Sequence, residues 1–201
     1  MLITHKHLSK NFEYDGSQIE ASWAFKSFKI KGSAIITWIG SMNIKPDNLK
    51  DFEDIGLEIK SDNMVHFMLE HFDEQPANLR IGYLRQRLLV MILKEELANK
   101  GIFSSREGDD IYIDSKKLTV SIATVSSSSM KIHLGINITS DGTPDDVDTI
   151  GLFELNNKIA NSNSKEYFNY SNLLIFINDI VNNYINELNS IELDISKTNL
   201  L

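Results

Sequence analysis

Residues 108–137 constrain the fold of this chain more than any other stretch. They read Gly-Asp-Asp-Ile-Tyr-Ile-Asp-Ser-Lys-Lys-Leu-Thr-Val-Ser-Ile-Ala-Thr, then a serine run, then Lys-Ile-His-Leu-Gly-Ile-Asn. The pattern predicts three short strands, over 111–113, 117–124 and 131–138. Asp114 and Ser115 fall at a tight turn between the first two, where short polar side chains bond the nearby backbone. Successive strand residues point to opposite faces. One face is then Ile111, Ile113, Leu118, Val120, Ile122, Ile132, Leu134, Ile136 and Ile138, which reads as a core face. The other is Asp110, Tyr112, Lys117, Thr119, Ser121, His133, Gly135 and Asn137. That second face is small, polar and ionisable. It suits either the wet side of an antiparallel sheet or a ligand site.

The 201 residues fit one domain over 1–201, with a loosely held tail over 190–201. Hydrophobic residues make up 42% of the chain, enough for a sizeable core. A net charge of −8 and a pI near 5.1 disfavour nucleic acid and membrane surfaces as partners, because both need basic patches. There is no cysteine, which excludes disulfides, thiolate-bound metals and thiol nucleophiles. No run approaches the ~18 consecutive apolar residues of a membrane span. The first residues, Met-Leu-Ile-Thr-His-Lys-His, lack the apolar stretch of a signal peptide. A cytoplasmic location is the expectation.

Ahead of the central stretch, 21–28 reads as either a short helix or an extended segment, and 33–39 as a buried strand closed by Gly40. Pro46-Asp47 opens a short polar helix to about residue 54, and 56–60 alternate as a strand. Met64, Val65, Met68, Leu69 and Phe72 predict a helix over 63–72, capped by Ser61 or Asp62. His66, Glu70, His71 and Asp73 are metal-ligating types. On such a helix His66 and His71 stand roughly 140° apart, so no metal site is expected.

Leu84, Leu88, Met91, Ile92 and Glu95 predict a helix over 84–99 that ends at Lys100-Gly101. Arg85 and Arg87 near its start oppose the helix dipole and want an anionic partner, either a carboxylate of this acidic chain or a bound phosphate. Residues 139–148 form an acidic turn-rich loop, 150–160 a short strand or helix start, and 161–165 a polar linker. A last helix is expected over 172–189, capped by Ser171. Its stripe of Leu174, Ile177, Val181, Tyr184, Ile185 and Leu188 packs on the core or on a second copy, so a homodimer is compatible with it.

Segments spread over almost the whole chain resemble a known family. They are Asp15-Gly-Ser-Gln, Ser22-Trp-Ala-Phe, His66-Phe-Met-Leu-Glu-His-Phe-Asp73, Leu84-Arg-Gln-Arg-Leu-Leu-Val, Glu95-Glu-Leu, Glu107-Gly-Asp-Asp-Ile-Tyr and Leu118-Thr-Val-Ser-Ile-Ala-Thr-Val. These look like the uncharacterised, mainly archaeal family catalogued as domain of unknown function 366. More remotely, Asp110-Ile-Tyr-Ile-Asp-Ser-Lys-Lys117-Leu-Thr-Val-Ser121-Ile-Ala, followed by His133-Leu-Gly135-Ile-Asn137, is similar to the biotin and lipoate protein ligase superfamily. That resemblance implies an α/β (α+β) fold, with a mixed, mostly antiparallel sheet and helices on one face. It implies that Lys117 is the lysine that contacts the acid's carboxylate and the adenylate phosphate, which makes ATP a candidate cofactor. The arginine- and glycine-rich loop of such ligases has no counterpart beyond Arg85-Gln-Arg87. The cysteine of the lipoyl transferases is absent.

Two readings follow. In the first, the chain is a cofactor-ligase-like enzyme acting on a small carboxylic acid or nucleotide. Lys117 is then catalytic, and Asp110, Arg85, Arg87, Thr119, Ser121, His133, Gly135 and Asn137 bind the ligand. A lysine is a compact cation suited to carboxylate or phosphate, and Gly135 would leave room for a ligand against the backbone. In the second, the same face binds a small anion without catalysis. A metal-dependent hydrolase built from His66, His71, Asp73 and His133 is a weaker third.

Overall fold

A computed structural model describes residues 2–156 and 167–199. The linker expected at 161–165 and the second half of the 150–160 element lie outside the described residues.

The main sheet has five strands. They are β1 (Ile3–His7), β2 (Ser33–Asn43), β3 (Lys60–His71), β7 (Thr119–Val125) and β8 (Met130–Asn137), in the order β1-β2-β3-β8-β7. Only β1 and β2 run parallel; the other three pairings are antiparallel. A small antiparallel sheet, β4 (Ser105–Glu107), β5 (Asp110–Ile113) and β6 (Lys116–Lys117), stands beside it. Three α-helices lie wholly within the described residues, α1 (Trp23–Phe28), α2 (Leu79–Asn99) and α3 (Tyr170–Lys197). The fold is thus the mixed α+β arrangement expected.

The region expected as a helix over 63–72 is the centre of the sheet. In β3, Met64, Val65, His66, Phe67, Met68, Leu69, Glu70 and His71 are all buried. A strand covered on both faces loses its alternation, and its apolar run then mimics a helical stripe. The helix expected after Pro46 is only one 3-10 turn, Pro46–Asn48, and the strand expected at 56–60 is irregular until Lys60. Residues 23–28 settle as a helix.

α2 starts earlier than expected because Asn78 caps it, accepting from the backbone N–H groups of Arg80 and Ile81 at 2.9 and 3.2 Å. It ends at Gly101, whose φ of +78° suits glycine. There the Ile102 N–H bonds the Leu97 carbonyl and the Gly101 N–H that of Ala98. α3 runs on to Lys197, so most of the segment expected as a tail is helical. Asn169 caps its start.

α2 and α3 cover one face of the sheet. Leu89, Val90, Leu93, Phe176, Ile177 and Ile180 pack there against Val65, Phe67, Leu69, Ile132, Leu134 and Ile136. The chain between β1 and β2 covers the other face, where Tyr14, Ile19 and Ala24 meet Ile36, Trp38, Met64 and Met68. Two contacts seat this cover. Trp38 Nε1 donates to the Phe12 carbonyl at 3.1 Å. Gly40 lies so close to Phe12 that a Cβ would stand 2.0 Å from its carbonyl oxygen. A buried ion pair, Lys131 with Glu70, holds the far end of the cover through the Glu20 carbonyl and the Ser22 N–H.

The turn at Asp114 and Ser115 has positive φ at both residues (49° and 65°), as a two-residue hairpin turn requires. The strand expected over 117–124 is two strands. At Leu118 the chain leaves the small sheet, with its N–H on the Ile111 carbonyl, and joins the main one, with its carbonyl on the Asn137 N–H. The break alters the assignment of faces. Antiparallel partners share a face, and β7 pairs Thr119 with Ile136, Val120 with Gly135, Ser121 with Leu134 and Ile122 with His133. Val120 and Ile122, expected in the core with Ile132 and Leu134, therefore sit on the His133 side. Thr119 and Ser121, expected beside His133, point towards α2.

A cavity over the non-helical face

The His133 side of β7 and β8 forms the floor of a cavity of about 430 Å³, within the size range of small-molecule sites. Val120, Ile122, His133 and Asn137 line it from the sheet. Tyr14 and Ile19 close it from the cover, Met42 borders it from β2, residues 44–60 and 143–149 form further walls, and Asp109, Asp110 and Lys117 enter from the small sheet.

Of the residues expected to form a site, Lys117, Asp110, Ser121, His133 and Asn137 line this cavity. The Lys117 ammonium pairs with Asp110 at 2.7 Å, both side chains being about one-quarter exposed. Burial raises the Asp110 carboxyl above the usual range even though Lys117 pulls the other way. Asp54 is also raised, by burial and by the neighbouring Asp51. Ser121 reaches the cavity's edge, but its hydroxyl accepts from Gln86 Nε2 (2.9 Å) and donates to the His133 carbonyl (3.0 Å).

The remaining candidates lie elsewhere. Thr119 Oγ1 accepts from the Ile111 N–H at 2.9 Å, on the helix side. Gly135 offers no room for a ligand: a Cβ there would meet the Met64 methyl at 2.8 Å and Val120 at 3.1 Å. Its missing side chain is used by packing. Arg85 grips Asp73 through both carboxylate oxygens, at 2.7 and 2.5 Å, and Arg87 pairs with Asp109 at 3.1 Å. The carboxylate partner is thus the one realised for both arginines, and neither lines the cavity. His66 and His71 point to opposite faces of β3, so they still cannot share an ion. His71 bonds the Tyr184 hydroxyl at 3.0 Å under α3.

The floor is an aromatic stack. The His133 ring lies 3.6 Å from the Tyr14 ring, within 10° of parallel, and Trp38 stacks on His66 at 4.8 Å. His66 Nδ1 and His133 Nε2 are 3.1 Å apart, and His66 Nε2 lies 3.2 Å from the Gly40 carbonyl. Burial holds His66 down to about 4 and His133 well below an ordinary imidazole, so both are neutral near pH 7.

Sequence reasoning missed Tyr14 and the walls at 44–60 and 143–149. The walls matter for charge. Asp51, Glu53, Asp54, Glu58, Asp109, Asp110 and Asp146 line the cavity against Lys50, Lys60 and Lys117, and Lys60 is already paired with Glu58 at 2.6 Å. A triphosphate fits this set poorly. Seven carboxylates face it, and no arginine lines the cavity among the described residues.

Residues 3–199 match the family described as Domain of unknown function (DUF366). A protein of unknown function from Pyrococcus horikoshi has a solved structure that superposes with a TM-score of 0.85 at 34% identity, covering 100% of both chains. Biotin protein ligase from Aquifex aeolicus, in complex with biotin and ATP, superposes with a TM-score of 0.56 at 16% identity, over 90% of this chain and 70% of that one. Ta0514 from T. acidophilum, a candidate lipoate protein ligase with bound lipoic acid, gives 0.57 at 9% identity, over 93% and 85%. At those identities the two ligase comparisons establish shared fold.

Proposed function

We propose, for a chain that belongs to the domain of unknown function 366 family and is folded as biotin and lipoate protein ligases are, that it binds a small carboxylic acid in the cavity over its non-helical face. The observation that carries this reading is that Lys117 and the apolar floor of Val120 and Ile122 line one cavity. The ammonium is the natural seat for the carboxylate, and the floor for the apolar body. Asp110 is the resident partner that an incoming carboxylate displaces. Burial already holds its carboxyl above the usual range.

The binding reading stands ahead of a catalytic one because the cavity does not suit the free triphosphate that adenylation needs. The ligase-like fold favours the catalytic reading as second choice.

Thermal shift against biotin, lipoate, octanoate and ATP tests the first reading. A ligand at 100 times its Kd adds about 2.7 kcal/mol, or roughly 5 to 10 °C for a chain of this size. Lys117→Ala is expected to abolish the shift; an unchanged shift overturns the assignment. Exchange of pyrophosphate into ATP in the presence of a bound acid would establish catalysis instead.

A further inference from the structure

The hydrogen bonds beneath the cavity fix the proton positions on two histidines. The Gly40 carbonyl can only accept, so His66 Nε2 carries the proton of that 3.2 Å bond. Neutral His66 then has a bare Nδ1. The 3.1 Å contact to His133 requires that His133 Nε2 be the donor. A neutral His133 whose Nε2 is protonated has a lone pair at Nδ1. Among the described residues no side chain or backbone group hydrogen-bonds that nitrogen. His133 is 1% exposed, lines the cavity and is clamped flat against Tyr14. The ring cannot turn over without breaking the bond to His66.

We infer that His133 is a specificity-determining residue whose Nδ1 accepts a hydrogen bond from the ligand, so that the ligand is a small carboxylic acid bearing an N–H donor, such as an amine or urea nitrogen. This rests on the reading above for the carboxylate at Lys117. A second observation points the same way: seven carboxylates line the cavity against three lysines, which favours a ligand with positive or proton-donating groups away from its carboxylate. An acid without a donor leaves the His133 lone pair buried and unmatched. Sites built to hydrogen-bond a group reject analogues that lack it.

His66 is then a positioning residue. It touches no ligand and sets which nitrogen of His133 is bare.

Two measurements on the unaltered chain decide the matter. The first is long-range proton–nitrogen NMR of the histidine rings at pH 7. Bare Nδ1 on both His66 and His133 is expected; a protonated Nδ1 on His133 overturns the inference whether or not any acid binds. The second is calorimetric titration with two donor acids, biotin and 8-aminooctanoate, and two acids without a donor, lipoate and octanoate. At least one donor acid is expected to bind about tenfold tighter than both plain acids. Equal affinities, or binding of the plain acids alone or of none of the four, overturn the substrate class. A bound acid whose affinity ignores Lys117→Ala would instead sink the carboxylate assignment and leave the His133 tautomer to the spectrum. His133→Phe keeps a ring on Tyr14 and is expected to equalise the four acids; if it does not fold, the two measurements on the unaltered chain still decide.

Discussion

Acid should weaken this fold steeply, well before the carboxylates titrate. His66, His71 and His133 are held neutral by burial, His66 at about 4, His71 at about 3 and His133 well below its ordinary value. Below pH 6.5 the unfolded chain takes up protons at these positions and the folded chain does not. Stability is therefore level above pH 7 and falls as the pH drops from about 6.5 towards the folded values. The 1.5 units between 6.5 and 5 correspond to about 2 kcal/mol each for His66 and His71 at ~1.36 kcal/mol per unit, hence about 4 kcal/mol for the two, and His133 acts in the same direction. That is a large part of the ~5–15 kcal/mol typical of a domain. The depressed carboxyls Asp15, Asp73 and Glu154 add losses only at lower pH. Asp54 and Asp110, raised by burial, work in the opposite sense. Urea titrations at pH 7 and pH 5 measure the effect. With a slope of about 2–3 kcal/mol/M the midpoint should fall by at least roughly 1–2 M. His71→Gln keeps a partner for Tyr184 and should remove about 2 kcal/mol of the fall. A difference below ~1 kcal/mol between the two pH values would refute the claim that these rings are buried and neutral.

Three further outcomes are expected. Glu70→Ala strands the Lys131 ammonium and leaves the Ser129 hydroxyl and the Ser22 N–H without their acceptor; the loss should be about 3–5 kcal/mol by denaturant titration, and Glu70→Leu with Lys131→Met should recover most of it. Gly40→Ala puts a methyl on a backbone carbonyl that cannot move aside and should lower stability by about 3 kcal/mol or more, with loss of native tryptophan fluorescence as the cover lifts off Trp38. Arg85→Ala removes a partly exposed pair with Asp73 and should lower stability by about 1 kcal/mol, while leaving acid binding unchanged, because Arg85 does not line the cavity.

What the sequence made legible was whatever is decided locally. The Asp114-Ser115 turn, the strand that became β8 and the Lys100-Gly101 stop of α2 follow from turn and cap chemistry within a few residues. β3 was not legible. It is covered on both sides, so the period that separates strand from helix is erased by partners far away in the chain. The faces of β7 failed for a related reason: the alternation from Lys117 to Ser121 is real, but the chain changes sheets at Leu118, and long-range pairing to Ile111 and Asn137 causes that change. Lys117, His133 and Asn137 do line one cavity, although Lys117 enters it from the small sheet and shares no strand face with the other two. The acidic walls at 44–60 and 143–149 were not, since an irregular loop carries no sign of what it will fold across. The corrected grouping changes the chemistry, because it replaces Thr119 and Gly135 with Val120, Ile122 and Tyr14.

The cover over the non-helical face also sets an order of events during synthesis. Its last anchor, the Glu20 carbonyl, waits for Lys131, 111 residues later in the chain. At roughly 5–20 residues per second, the cover is made about 6 to 20 seconds before the strand that secures it. Until that strand is made, Tyr14 lacks the His133 ring on which it stacks and Glu70 has no Lys131 ammonium to meet. The cavity thus comes into being late, closed by a segment made long before the strand that secures it.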